Sequence, residues 1–204
     1  MSQLGEKRVF ELCAGHPALE LVNTLDWRFR DEGPEELLAS YNDLLHFAAQ
    51  SGILDARETR ALQRDTPTTK AERVLAQGRE LREAAAQAFY SALDDRKPAA
   101  AVLAKLEAGF KAAREKQSLI GADSGLRWEW KETVPELPLW RLALQTEELL
   151  TSERLDMVRA CANPECRWLF LDASRNHSRR WCEMSICGNR MKARRFKQRV
   201  NAGA

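Results

Sequence analysis

The sequence predicts an α+β chain, a mostly helical N-terminal domain with a small sheet (residues 1–155) followed by a metal-clamped module (156–204). Three observations carry that expectation. Apolar residues recur at helical spacing over most of the first 151 positions. One segment breaks the pattern, where Leu126, Trp128 and Trp130 alternate with Arg127, Glu129 and Lys131, the period of a half-buried strand. Four of the five cysteines then fall within 27 residues near the C-terminus.

Taken in order, Val9 to Cys13 is a short apolar run expected as a strand. Gly15-His16-Pro17 marks a turn, and Ala18, Leu21, Val22 and Leu25 follow at helical spacing. Glu35 to Gln50 is an amphipathic helix carrying Leu37, Leu38, Tyr41, Leu44, Leu45 and Ala48 on one side, stopped by Ser51-Gly52. Asp55 caps a short helix that buries Leu62. Thr69 and Glu72 have the spacing of a capping box, opening a helix that buries Val74, Leu75, Leu81, Ala85, Phe89 and Leu93. Pro98 suits the first turn of a helix with Val102, Leu103, Leu106 and Phe110. The turn-rich Gly121–Gly125 separates Ser118–Ile120 from the alternating segment, so the two pair as a hairpin. Pro135 and Pro138 then precede a helix over Leu139–Thr151.

The composition, 44% hydrophobic and 30% charged, is that of a globular protein. No apolar run is long enough to cross a bilayer, so no membrane partner is expected. Met1 to Arg8 is charged and lacks an apolar core, which argues against a secretory leader and for the cytoplasm. The net charge of +2 conceals an asymmetry. Residues 159–204 hold 11 Lys/Arg against Glu165, Asp172 and Glu183, a net +8, while the other 158 residues, with 21 bases and 27 acids, sum to −6. A basic end on an acidic body points to a polyanionic partner.

Cys161, Cys166, Cys182 and Cys187 form two C-x4-C pairs separated by 15 residues. In a reducing compartment such a set favours a metal over two disulfides. Two close pairs of soft thiolates suit one tetrahedral zinc ion, and four thiolates leave no position for a catalytic water. Ala162–Glu165 reads as a turn between Leu155–Arg159 and Trp168–Leu171, the strands of a hairpin. Gly188 follows Cys187, and Ala193, Phe196 and Val200 then repeat at helical spacing. A hairpin knuckle plus a helix-start pair is a treble-clef-like arrangement. His177, in the polar stretch Ser174–Arg180, is the one alternative ligand nearby.

Trp181-Cys182, Cys187-Gly188-Asn189-Arg190 and Lys192-Ala193-Arg194 resemble the CGNR zinc-finger family, as do Leu169–Asp172, Ser174-Arg175 and Arg179-Arg180. The stretch Gly15–Leu25 resembles the opening of the ABATE domain that precedes this finger. Together the resemblances cover nearly the whole chain. They imply a bacterial stress-induced transcription regulator, not an enzyme, in which an α+β N-terminal domain senses a small-molecule ligand or other signal and the zinc module binds double-stranded DNA.

The terminal helix can be judged from its own residues. With 100° per residue, Ala193, Phe196 and Val200 form an apolar stripe expected to pack on the zinc knuckle. Arg190, Arg194 and Lys197 make a basic ridge on one side, Lys192, Arg195 and Arg199 another, and Met191 and Gln198 point away from the core. Two basic ridges around a non-acidic strip suit a major groove, each facing a phosphate backbone. Gln198, Arg194 and Arg195 are the expected base readers, and Arg179 and Arg180 the phosphate contacts from the preceding loop.

Elsewhere the chemistry is sparse. Cys13 and His16 lack a third orienting group, so a core cysteine and a turn histidine are expected. Asp94-Asp95 and Glu147-Glu148 diverge on a helix and form no acid–base dyad. Asn23-Thr24 is read as satisfying buried backbone, and Trp27, Trp128, Trp130 and Trp140 as core. Two rival functions use the same basic module: an RNA- or ribosome-associated protein, and an enzyme or adaptor with a purely structural zinc clip. Oligomeric state stays open between monomer and homodimer.

Overall fold

The computed structural model describes residues 8–202, without the side chains of Arg195 and residues 199–202. His16 starts the first helix, α1 (Pro17–Asn23). Its Nδ1 accepts from the Ala18 amide at 3.2 Å, and Pro17 supplies a pre-set φ in the first turn. Gly15, at φ 77°, makes the turn that leads in. The run Val9–Cys13, expected as a strand, is irregular. Phe10 is buried but Val9 is exposed, and a single backbone bond from Leu171 to Ala14 O (2.8 Å) ties the segment to the C-terminal module.

After α1, β1 (Leu25–Asp26) pairs antiparallel with β2 (Glu35–Glu36) across the loop 27–34. There follow α2 (Tyr41–Gln50), α3 (Ala56–Asp65), α4 (Thr68–Leu93) and α5 (Ala100–Arg114). The hairpin of β3 (Gln117–Ala122) and β4 (Gly125–Trp130) precedes α6 (Leu137–Thr151). A 3-10 turn at Glu153–Met157 enters a second hairpin, β5 (Val158–Ala160) with β6 (Leu169–Leu171). A π-helical turn, Met184–Gly188, runs into α7 (Asn189–Ala202).

Several boundaries differ from expectation for local reasons. The helix expected from Glu35 starts after Ser40, because Ser40 and Asp43 satisfy each other's backbone amides in a capping box, and Glu35-Glu36 are left to pair as strand. Asp55 and Glu58 make the second capping box. Thr69 and Glu72 make none, since α4 begins two residues earlier, at Thr68 behind Pro67. Pro98 lies outside α5, whose cap is Ala99. The β3–β4 pairing matches expectation, but its burial does not. Leu119, Leu126 and Trp128 are 50%, 71% and 58% exposed, and only Trp130 reaches the body, stacked on Trp140 at 6.4 Å.

Two apolar clusters hold the chain together. One joins α2, α4, α5 and α6 through Leu44, Phe47, Leu81, Leu106 and Leu142. The other packs Ala18, Leu19 and Val22 of α1, Ala85 and Phe89 of α4 and Leu149 of α6 against Val158, Trp168, Phe170 and the four C-terminal cysteines. The cysteine module therefore shares its core with the helical body. Each large apolar side chain buried there contributes roughly 1.5–3 kcal/mol. Asn23 binds the two parts as expected of it: its amide donates to Leu169 O and its Oδ1 accepts from Leu169 N, both at 2.9 Å, so the side chain serves β6 as a strand would. Among the described residues no helix is long and apolar enough to cross a membrane.

Candidate metal centre and basic helix

Cys161 directly follows β5 and Cys166 closes the knuckle's turn, which Asn163 organises: its carbonyl accepts from the amides of Cys166 and Arg167. Cys182 precedes the π-helical turn and Cys187 lies within it. The four sulfurs lie within 4.8 Å of one another, and all four residues are buried. Tetrahedral coordination at the usual Zn–S distance puts sulfurs about 3.8 Å apart, and Cys166 and Cys182 are separated by 3.9 Å. Two donors already point at sulfur, Trp168 N at Cys166 and Asn163 Nδ2 at Cys187, each at 3.4 Å. Such N–H···S bonds disperse thiolate charge in the second layer of a metal site. The donor set thus fits one structural zinc ion, and among the described residues no other group of His, Cys, Asp and Glu gathers this way.

Cys13, expected in the core, is half-buried and packs against the apolar cluster that contains the four thiols. His177 stays out of the cluster, its Nδ1 at 3.0 Å from Asp172 O.

Gly188 has a steric reason in the CGNR tetrapeptide. A Cβ there would stand 2.5 Å from Met184 Sδ and 3.3 Å from Trp181 Cδ1. The methionine can swing away, so the indole sets the limit.

Asp172 is fully buried and builds the loop before the second knuckle. It accepts from the Ser174 hydroxyl and amide and from the Arg179 amide, and the Ser174 hydroxyl is the first cause that holds its carboxyl below the usual range. Arg179, expected on phosphate, is committed elsewhere. Its guanidinium donates to the carbonyls of Cys13 (2.8 Å), Trp181 (3.1 Å) and Cys182 and lies 4.1 Å over the Phe170 ring. It clamps the loop because four backbone oxygens, Leu171 O included, converge where few other donors reach. Arg180 is exposed beside Trp181.

The apolar stripe of α7 does not pack on the knuckle. Ala193 is exposed and Phe196 is 69% exposed, because the helix is anchored through its first turn and leaves the body thereafter. Arg190 belongs to that anchor, its guanidinium 4.5 Å over the Trp27 ring in the β1–β2 loop. Lys192, Arg194, Lys197 and Gln198 are exposed, and Arg194 pairs with Glu165 across the first knuckle at 2.9 Å. Arg195 and Arg199 lie on α7, with side chains outside the described residues.

In the body, His16 caps α1 and its Nε2 lies 3.0 Å from Glu148, with no contact to a nucleophile. Burial lowers its pKa. Glu147 pairs instead with Arg114. Nothing in the sequence marks Trp27 or Arg167 as joints between body and module. Their positive φ values (48° and 50°) are backbone facts without a sequence signature for these residue types.

Comparison with protein families agrees with this geometry. Residues 157–200 match the CGNR zinc finger, and residues 15–153 match ABATE, described as "Putative stress-induced transcription regulator". No curated protein sequence matches the chain. The ABATE match alone spans more than half of the 204 residues, and with the four-cysteine cluster in place behind it the chain belongs to the ABATE family, with a C-terminal CGNR zinc finger.

Proposed function

We propose that this chain is a zinc-dependent, DNA-binding transcription regulator in which the metal centre holds α7 by its first turn and presents it to a major groove. The carrying observation is the state of α7. From Lys192 to Gln198 every described side chain is exposed, none is acidic, and only Arg194 has an ion-pair partner. An exposed pair of that kind is worth roughly 0–1 kcal/mol, so a phosphate can displace Glu165 with little loss. A solvated helix normally mixes charge signs, and one with Phe196 uncovered lacks a surface to lie on. A groove supplies phosphates for Lys192, Lys197, Arg199 and Arg180 and base edges for Arg194, Arg195 and Gln198. Arg179 and Arg190 leave the contact set and act as supports. The closed four-thiolate centre supports a binding role over a catalytic one.

Duplex binding measured as salt is varied tests this. Contact with about five phosphates gives a slope of log K against log salt near −4.5. Lys197→Gln should flatten it by about 0.9 and leave the melting temperature unchanged. Arg179→Gln should do the reverse, lowering the melting temperature without moving the slope. A salt-independent affinity sinks the groove model, and preference for structured RNA over duplex in competition selects the RNA-binding alternative.

A further inference from the structure

A cleft of about 700 Å3 opens between the α4–α5 connection and the first cysteine knuckle, a size usual for small-molecule sites. Four cations line it against two carboxylates. Arg28 is answered by Glu83 at 2.5 Å and Arg96 by Asp94 at 2.5 Å. Among the described residues Lys97 and Arg167 have no carboxylate within ion-pair distance, so the cleft keeps two uncompensated positive charges. Beside them lie two aromatic rings, Phe29 and Tyr90, set edge to face at 5.4 Å. The Arg167 guanidinium lies 5.5 Å from one and 5.7 Å from the other. Phe29 is 44% exposed, so its ring is open to a ligand.

We propose that this cleft binds a small organic anion with a flat apolar body, its negative head on Arg167 and Lys97 and its flat part against Phe29 and Tyr90. Its occupancy then reaches α7 by two short routes. Arg167 sits between the metal ligand Cys166 and Trp168, and its carbonyl accepts from the Tyr90 hydroxyl at 2.9 Å. Phe29 is two residues from Trp27, on whose ring Arg190 in the first turn of α7 is stacked. A ligand that holds Arg167 and Phe29 differently from the empty cleft therefore biases both knuckles, which is what coupling between two sites requires. The regulatory half of the proposal rests on the DNA-binding reading above; the anion site does not.

Calorimetry on the zinc-loaded full chain tests it, with benzoate and phenyl phosphate as probes and benzyl alcohol and inorganic phosphate as controls. Both aromatic anions should bind saturably. The neutral alcohol and inorganic phosphate, each offering half of the recognised chemistry, should bind at least about 10-fold more weakly, and Lys97→Gln and Arg167→Gln should each weaken the probes about 10-fold or more. Lys97 is exposed and belongs to the α4–α5 connection rather than to the cysteine module, so its variant remains informative if Arg167→Gln disturbs the knuckle. Absence of saturable binding, inorganic phosphate matching phenyl phosphate, or unchanged affinity in Lys97→Gln overturns the site. At constant ionic strength, benzoate should change duplex affinity about 5-fold or more in the wild type and not in Lys97→Gln. Duplex binding blind to the probe overturns the coupling. A chain that binds benzoate through Lys97 but binds no duplex keeps the anion site and removes the DNA-binding reading instead.

Discussion

α6 and α7 are near equals in length, 15 and 14 residues, and each carries an apolar stripe in sequence, yet they end in opposite situations. α6 buries Leu137, Leu142, Ala143, Thr146 and Leu149 among α1, α4 and α5. α7 leaves Ala193 and Phe196 in solvent. An isolated helix of this length is marginal in water, so the two must be held by different means. Packing along its whole length holds α6. A covalent framework of metal ligands at one end, with Arg190 on Trp27, holds α7. The difference teaches that amphipathic periodicity predicts a helix with a face to bury, but not whether its own chain does the burying.

The largest test of that contrast is removal of the metal. Zinc binding to small modules is worth ~10–16 kcal/mol, far more than the contacts of the α7 first turn. Chelation, or Cys182→Ser, should release α7 and the second knuckle to fast amide exchange while α2, α5 and the first half of α4, in the other cluster, stay protected. Stoichiometric loss of metal with α7 still protected would show that it is held by packing after all.

What was legible in the sequence follows the same division. Helices that bury a stripe inside the body were readable because period and burial coincide, as in α4 and α6. The four thiols were readable because metal chemistry fixes residue type and spacing together. The exposure of Leu126 and Trp128 was not, since alternation reports which residues share a face and nothing about what covers it. Nor was the role of Arg179, where a basic residue in a basic loop looks the same whether it meets phosphate or four carbonyl oxygens. Trp27 and Arg167 escaped because they act through backbone conformation and through partners more than 70 residues away, Arg190 and Tyr90.

A smaller effect lies on the seam between the two regions. Asn23 satisfies both backbone groups of Leu169 from a position only 4% exposed. Asn23→Ala leaves an amide and a carbonyl buried and unpaired, at roughly 1–3 kcal/mol each, so the folded protein should lose about 4 kcal/mol in chemical denaturation. A body-only transition that stays put while the module transition moves would sharpen the contrast. A single transition shifted as a whole would show that body and module unfold together through their shared core.

The smallest effect is a pH dependence from Glu20, on the same seam. It is 6% exposed, and its Oε1 accepts from the amides of Ala14 (2.7 Å) and Gly15 (3.2 Å). Burial, the largest cause, pushes its carboxyl from 4.5 up to about 7. Because the folded value is the higher one, the unfolded chain ionises first as pH rises. The stabilising contribution is therefore complete below about pH 4.5, declines between 4.5 and 7, and is gone above 7. The whole change is at most about 3 kcal/mol. Glu20→Gln removes the titrating group while keeping an oxygen for the two amides. Acid also protonates the thiols and releases metal in both proteins, so the quantity to follow is the stability difference between variant and wild type from pH 5.5 to 8. That difference should grow in favour of the glutamine as pH rises and level off above 7. A difference independent of pH would mean that Glu20 is ionised in the folded protein throughout, and that the seam between body and module tolerates a buried charge.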